Sequence, residues 1–386
     1  MRRVVTTLVA LTTVAGPLAR TAPATAAPTT AARPAAAASC TATVFRSKPS
    51  AKVWYRIPAV VRTPTGTLVA FAERRHSTGA ASDVSDTELV RSRSTDGGCR
   101  WSAPTVVADQ GRGTVGNPAP VVDTTTGDVL LLSVYRADGS PTGRGLHLQR
   151  STDDGRTFTA YGDAGVSTKG VPHWAGGLTG PGHAIQLHAA AGPHPGRLVV
   201  PMGYHADDRF GAYGLLSDDH GAHWRVGYDD RVEEGHIEGT VAELPDGRLW
   251  VGYRVRGSSV AVGRSRVGGF STDGGASLVS GLRRTSQQVV AVQGSALALT
   301  GARAGTLLYS SPAGTASRSE RRGMTLFASS GSGVGSRWTV AARVGSQKRP
   351  AAYSDLVQVD DTHVGVLYET GDQSWKERID FRTVGV

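Results

Sequence analysis

Short apolar runs, interrupted every few residues by Gly, Asp or Pro, set the pattern of this chain. Val60-Val61, Gly66 to Ala72, Val129 to Tyr135, Arg197 to Gly203, Arg248 to Tyr253 and His363 to Tyr368 read as half-buried or buried strands. Apolar positions at helical spacing are scarce. Fifty glycines suit a chain made mostly of tight turns between strands. The pattern therefore predicts an all-β protein.

The start of the chain breaks this pattern. Arg2 and Arg3 precede an apolar run from Val4 to Gly16, too short to span a bilayer, and Ala24-Thr25-Ala26 offers a small-residue cleavage site. Residues 1–27 read as an export signal. Residues 28–41, rich in Ala, Thr and Pro, read as a disordered spacer. The domain is expected to occupy 42–386, with no membrane insertion, because no later segment is long and apolar enough for a membrane helix.

A second, longer period runs through the domain. The pattern Ser-x-Asp-x-Gly-x-x-aromatic stands at Ser94 to Trp101, Ser151 to Phe158 and Ser217 to Trp224, with a weaker copy at Ser271 to Leu278. The four serines are 57, 66 and 54 residues apart. A degenerate fifth site between Ser330 and Trp338 keeps only the Gly and the final Trp. Periods of this size mark a repeated supersecondary unit. Asp and Ser oxygens accepting backbone N–H groups, with Gly supplying positive φ, make such a segment a hairpin staple rather than a catalytic site. Dividing the domain by this period predicts a six-bladed β-propeller of four-stranded antiparallel blades. The strand near Ile379 to Phe381 is expected to share a blade with the first, near Cys40 to Phe45.

Charge and cysteine content narrow the function only a little. The formal net charge of +10 includes three arginines of the signal, leaving about +7 after cleavage. The basic clusters Arg283-Arg284 and Arg318 to Arg322 lack interleaved aromatic residues, so a nucleic-acid partner is not expected. The two cysteines, Cys40 and Cys99, form no metal motif, and a disulfide between them is open in an exported chain. No spacing of His, Asp and Glu suggests a metal. Arginines at strand ends, namely Arg56, Arg254 and Arg321 or Arg322, are suited to bidentate recognition of an anion.

Three motifs together give a more specific reading. Tyr55-Arg56-Ile57-Pro58, the repeated Asp-containing boxes, and Gly180-Pro181-Gly182-His183-Ala184-Ile185-Gln186-Leu187 followed by Gly196-Arg197-Leu198 resemble the bacterial exo-α-sialidase (neuraminidase) family over nearly the whole domain. The boxes alone would indicate a fold and not an activity. The resemblance implies a secreted, retaining glycoside hydrolase that releases terminal sialic acid from sialoglycoconjugates. It implies no cofactor, and a monomer is expected. A trans-sialidase, a hydrolase of a sialic acid variant, or a non-catalytic sialic-acid-binding propeller are the alternatives.

The same resemblance assigns roles. Arg56, Arg254 and Arg321, with Arg322 as its competitor, would grip the sugar carboxylate, and Glu369 would steady Arg56. Asp83, with Asp86 as its competitor, would be the acid/base. Tyr353 would be the nucleophile and Glu238 its base. A phenol avoids the repulsion that a carboxylate nucleophile would meet at an anomeric carbon already bearing a carboxylate. Arg75 would lie near the sugar O4, and Asn117 stands before Pro118 where relatives often have Asp-Pro. Val171-Pro172-His173-Trp174 would border the acyl pocket, and His183 and His236 are the histidines near these segments.

Overall fold

The turn-punctuated apolar runs all form strands in the computed structural model, and the only helices among the described residues are two single 3-10 turns. It describes residues 39–78, 83, 85–138, 145–159, 162–163, 166–167, 178–188, 190, 192–206, 209–232, 235–256, 264–314, 320–331, 335 and 337–386. The expected signal therefore lies outside the described residues, as does the spacer up to residue 38.

The strands assemble as an all-β propeller, but not as six separate four-stranded sheets. Among the described residues, backbone hydrogen bonds group them into five sheets, three of them four-stranded. One sheet has eight strands, because Val53–Arg62, Leu68–His76, Asp86–Ser94 and Thr105–Ala108 are joined to the next set through a single parallel bridge, Thr87 to Thr114. Another has six, because short strands at Leu178–Thr179, Ile185–Gln186 and Val166–Ser167 add to Leu198–Ala206, Arg209–Ser217 and Trp224–Val232. These mergers are local pairings that a repeat period does not reveal.

Closure follows the expected route. Thr41–Arg46 pairs antiparallel with Arg378–Gly385, placing Phe45 opposite Ile379 and Ala42 opposite Phe381. Cys40 and Cys99 are joined by a disulfide, which ties the start of the closing strand to the first box. Closing a loop of this length in the unfolded chain is worth on the order of 4 kcal/mol in the chain-entropy picture.

Each box acts as a staple. In the first, the Ser94 hydroxyl donates to Asp96 Oδ1 at 2.9 Å and accepts the Gly98 N–H at 2.9 Å, while Asp96 also accepts the N–H groups of Cys99 and Arg100. The Trp101 indole N–H caps the Gly98 carbonyl, and its ring meets Phe381 edge-on at 5.2 Å. Gly98 has φ +97°, and a Cβ there would lie 2.0 Å from the Phe381 ring, so only glycine fits. The boxes at Asp153, Asp219 and Asp273 repeat the Ser, Asp and Gly bonds. The degenerate fifth box keeps more than its sequence suggested. Ser329 accepts the Gly335 N–H at 2.8 Å, and the Trp338 indole caps the Gly335 carbonyl.

Apolar side chains fill the spaces between sheets, as where Trp250, Tyr309 and Trp338 meet with ring centroids 5.4 to 6.1 Å apart. At the centre, the innermost strands are tied by polar bonds around a buried carboxylate. Asp355 accepts the Val60 N–H, the His183 N–H, the Ser295 hydroxyl and the Leu356 N–H. Its Oδ1 also lies 2.7 Å from His183 Nδ1. Burial opposes a charge on His183, but the adjacent Asp355 carboxylate outweighs it and holds the imidazole above its usual pKa.

The box carboxylates give a pH prediction. Burial alone would raise Asp153, but bonds from the Thr157 hydroxyl, the Thr157 and Arg156 N–H groups and Ser151 bring it down to about 2. A carboxyl lowered on folding stabilises the protein above its ordinary pKa, and the benefit is lost as pH falls through the folded value. Asp153→Asn should lower Tm at pH 7 and show a smaller Tm loss than wild type between pH 4 and pH 2, measured by thermal melts across that range.

Candidate active site

Among the described residues, four innermost strands carry a register shift. The shifts fall between Arg56 and Ala59, Gly116 and Ala119, His236 and Gly239, and Ala351 and Ser354. Bulges re-aim side chains and occur beside active sites. Here the shifted segments deliver Arg56, Asn117, Glu238 and Tyr353 to one cavity of about 540 Å³. In two of them the shift coincides with a residue before proline at positive φ, Ile57 at +58° and Asn117 at +53°. A β-branched residue at positive φ is costly and needs support.

Glu369, on the strand His363–Thr370, supplies that support. Its fully buried carboxylate accepts Arg56 Nε at 2.6 Å and the Ile57 N–H at 2.9 Å through Oε1, and the Tyr353 N–H at 3.3 Å through Oε2. One carboxylate thus fixes an arginine, a strained turn and the backbone of the phenol. The two Nη atoms of Arg56 hydrogen-bond to no described residue, and Arg56 lines the cavity.

The phenol sits in a compact polar group. Tyr353 OH donates to Glu238 Oε1, and Arg254 Nη1 lies 2.7 Å from Glu238 Oε2 and 3.3 Å from the phenol oxygen. Burial raises the Tyr353 pKa and the Glu238 carboxylate adds to this, outweighing the pull of Arg254 and Arg56 in the other direction. The resting phenol is therefore neutral and already bonded to an acceptor for its proton. Burial of Arg254 is likewise outweighed by Glu238, which keeps the guanidinium firmly charged.

Arg321 completes the cluster expected from the sequence. It lines the cavity, and among the described residues it has no ion-pair partner. Its competitor Arg322 pairs with Glu320 at 2.6 Å and is not among the lining residues. Burial lowers the pKa of Arg321, and the neighbouring charges of Arg254 and Arg56 lower it further. An unpaired, half-buried guanidinium beside two others makes the cavity a strong anion site.

On the opposite flank, Arg75 donates to Glu73 Oε2 and Asp83 Oδ1, each at 2.6 Å. Arg75 and Glu73 are buried, whereas the Asp83 side chain is 84% exposed at the rim. Asp86, its competitor, is not a lining residue. Asn117 lines the cavity, with its N–H on Glu73 Oε1 at 2.7 Å. His183 belongs to the Asp355 centre and not to the cavity lining. His236 begins the strand His236–Glu243. Val171-Pro172-His173-Trp174 lies outside the described residues.

Sequence reasoning missed four contributors. Glu73 was visible in Ala72-Glu73-Arg74-Arg75 but gives no local sign of its role. It holds Arg75 and the Asn117 turn, and a Cβ on Gly116 would lie 2.5 Å from its Oε1. Trp375 and Lys376 line the cavity from a loop that carries no motif. Asp355, two residues after Tyr353, ties the innermost strands together but passed as part of the Tyr353 segment.

A neutral phenol on a carboxylate, beside converging guanidinium groups and a rim carboxylate, defines a glycosidase site for an acidic sugar, set in a propeller. A model described as a BNR repeat-like domain matches residues 49–366. The exo-alpha-sialidase of Aspergillus fumigatus is 31% identical over 352 residues, covering 82% of this chain and 78% of that protein. The sialidase of Micromonospora viridifaciens is 33% identical over 341 residues, and the match covers 82% of this chain and 50% of that protein. Among solved structures, the Hadza microbial sialidase Hz136 superposes with a TM-score of 0.73 at 24% identity, over 90% of this chain and 68% of that one, which supports the fold. The chain belongs to the BNR-repeat sialidase family and is a glycoside hydrolase.

Removing the charge that supports the site should be costly. Glu369→Gln leaves the Arg56 guanidinium buried without its counterion, a loss of about 3 kcal/mol or more in unfolding free energy. Asp83→Asn, at an exposed position, should stay within roughly 0.5 kcal/mol of wild type. Urea unfolding of both variants checks the contrast.

Proposed function

We propose that the protein is an exported, retaining exo-sialidase that releases terminal α-linked sialic acid from glycoconjugates through a tyrosyl-glycoside. The observation that carries this reading is the Tyr353–Glu238 pair held against Arg254 in the cavity lined by Arg56 and Arg321. Export rests on the basic and apolar start of the chain, from Arg2 to Gly16. In the same reading the eight-stranded sheet works as two blades linked by its single bridge, so that six blades surround the site.

The sugar carboxylate binds the three guanidinium groups, which places the anomeric carbon over the phenol. Tyr353 Oη attacks that carbon as Glu238 takes the phenolic proton, and the bond to the aglycone oxygen breaks. Asp83 enters this step as a carboxylic acid, released from Arg75, and gives its proton to the departing oxygen. Water then attacks the same carbon from the vacated side. Asp83 takes the water proton, and Tyr353 leaves with its proton returned from Glu238. Two inversions give net retention. Positive charge developing on the sugar is offset by its own carboxylate, which the arginines hold in place, and by the partly ionised Tyr353–Glu238 pair.

Arg75 and Asn117 close the flank of the sugar opposite the phenol pair. No step calls for a metal or a redox group.

Release of a fluorophore from an aryl sialoside tests the reading. Wild type should turn over, and Tyr353→Phe should lose at least about a hundredfold in kcat. Equal turnover by the two proteins rejects the nucleophile. Proton NMR of the first-formed sugar should show the α anomer, and initial β anomer rules out the double displacement.

A further inference from the structure

The carboxylate-binding group poses a problem that the motifs leave unsolved. Arg56 has Glu369 and Arg254 has Glu238, but Arg321 stands beside both with no ion-pair partner among the described residues. Like charges held this close repel, and flexible side chains separate unless something holds them. The structure puts an aromatic ring where a third carboxylate would otherwise be needed. Arg56 Cζ lies 4.4 Å from the Trp375 ring centroid, and Arg321 Cζ lies 5.0 Å from it. The Tyr353 ring is on Arg56 as well, at 5.3 Å.

We propose that Trp375 is a positioning residue whose π-face holds Arg56 and Arg321 at the spacing required to grip one carboxylate. This role rests on the sialidase reading of the cavity and deepens it. A ring attracts a guanidinium through its negative face without neutralising it. A third carboxylate would pair with Arg321 and compete with the substrate for it. The ring restrains the cation and leaves its hydrogen-bond donors for the sugar.

The segment that carries Trp375 is built to hold its position. Glu377 accepts the N–H groups of Asp372, Gln373 and Ser374 at 2.7 to 2.8 Å, which folds the loop on itself. The Ser47 N–H donates to the Glu377 carbonyl and the Ser47 hydroxyl to the Lys376 carbonyl, strapping the loop to the strand that closes the propeller. Gly371 lacks a Cβ where one would lie 1.9 Å from the Ser374 carbonyl oxygen, so the tight return needs glycine. The indole also packs on the apolar group around Ile57 and Tyr353, beneath the strained turn that presents Arg56. Half-buried and lining the cavity, Trp375 reaches the arginines from a fixed support.

The test separates the π-face from mere bulk. Trp375→Phe keeps a ring, and Trp375→Met keeps volume without one. Wild type and both variants are titrated with N-acetylneuraminic acid by calorimetry and assayed on an aryl sialoside. The Met variant should weaken sugar binding and raise KM by about tenfold, with kcat within about threefold, because the ring's contacts with both arginines are lost. The Phe variant should recover most of the affinity. Equal losses in Phe and Met variants overturn the proposal, as does a Met variant with wild-type KM or one that loses kcat alone. If the Met variant fails to fold, Trp375→Gln takes its place with the same expected outcomes. A wild type that binds the sugar but turns over no sialoside removes the hydrolytic reading while leaving the role of Trp375 intact. A wild type that binds no sugar removes both.

Discussion

The Glu369 carboxylate is the interaction from which the rest of the site is organised. Fully buried, it is bonded to the Arg56 guanidinium, the Ile57 N–H and the Tyr353 N–H. A buried charge is tolerated only when paired and hydrogen-bonded, and these three donors meet that condition. In return it holds a β-branched residue at positive φ and joins the two strands that carry the first arginine and the phenol. The first arginine and the phenol are thereby fixed to the same anchor. A shift in one moves the other.

The cavity as a whole is a managed excess of positive charge. Among the described residues, seven Arg or Lys side chains line it, against three carboxylates. Each acidic residue has a distinct use. Glu238 pairs with Arg254 and accepts from the phenol, Glu73 locks Arg75 and the Asn117 turn, and Asp83 stands exposed at the rim. Arg56 and Arg321, whose side chains line the cavity, suit it to an anion. Tyr353 fits the same electrostatic logic, because burial and the Glu238 carboxylate keep its phenol neutral.

The propeller contributes this geometry through its repetition. Boxes staple the hairpins, and Asp355 with His183 and Ser295 joins the innermost strands. None of the box residues lines the cavity. Stability and chemistry are thus divided between separate residues. The innermost strands are free to bulge at Arg56, Asn117, Glu238 and Tyr353 because the boxes and inter-sheet cores hold the blades.

Turn chemistry and period were written locally, so they were legible from the chain alone. Ser-x-Asp-x-Gly makes its own bonds within a few residues, which is why the boxes, the strand runs and the closing pair of Phe45 with Ile379 followed from the residues. The family motifs named Arg56, Arg254, Tyr353, Glu238 and Glu369, all of which meet at the site. Tertiary structure alone decided the rest. That Arg321 and Asp83 line the cavity while Arg322 and Asp86 do not depends on how each segment is placed, a matter of one residue in the first pair and three in the second. The merging of sheets through Thr87 and Thr114 depends on how closely two strands approach. Asp355 and Trp375 act mainly through partners far away in the chain, and Glu73 joins its neighbour Arg75 to the distant Asn117; long-range contacts of that kind leave no mark in local sequence.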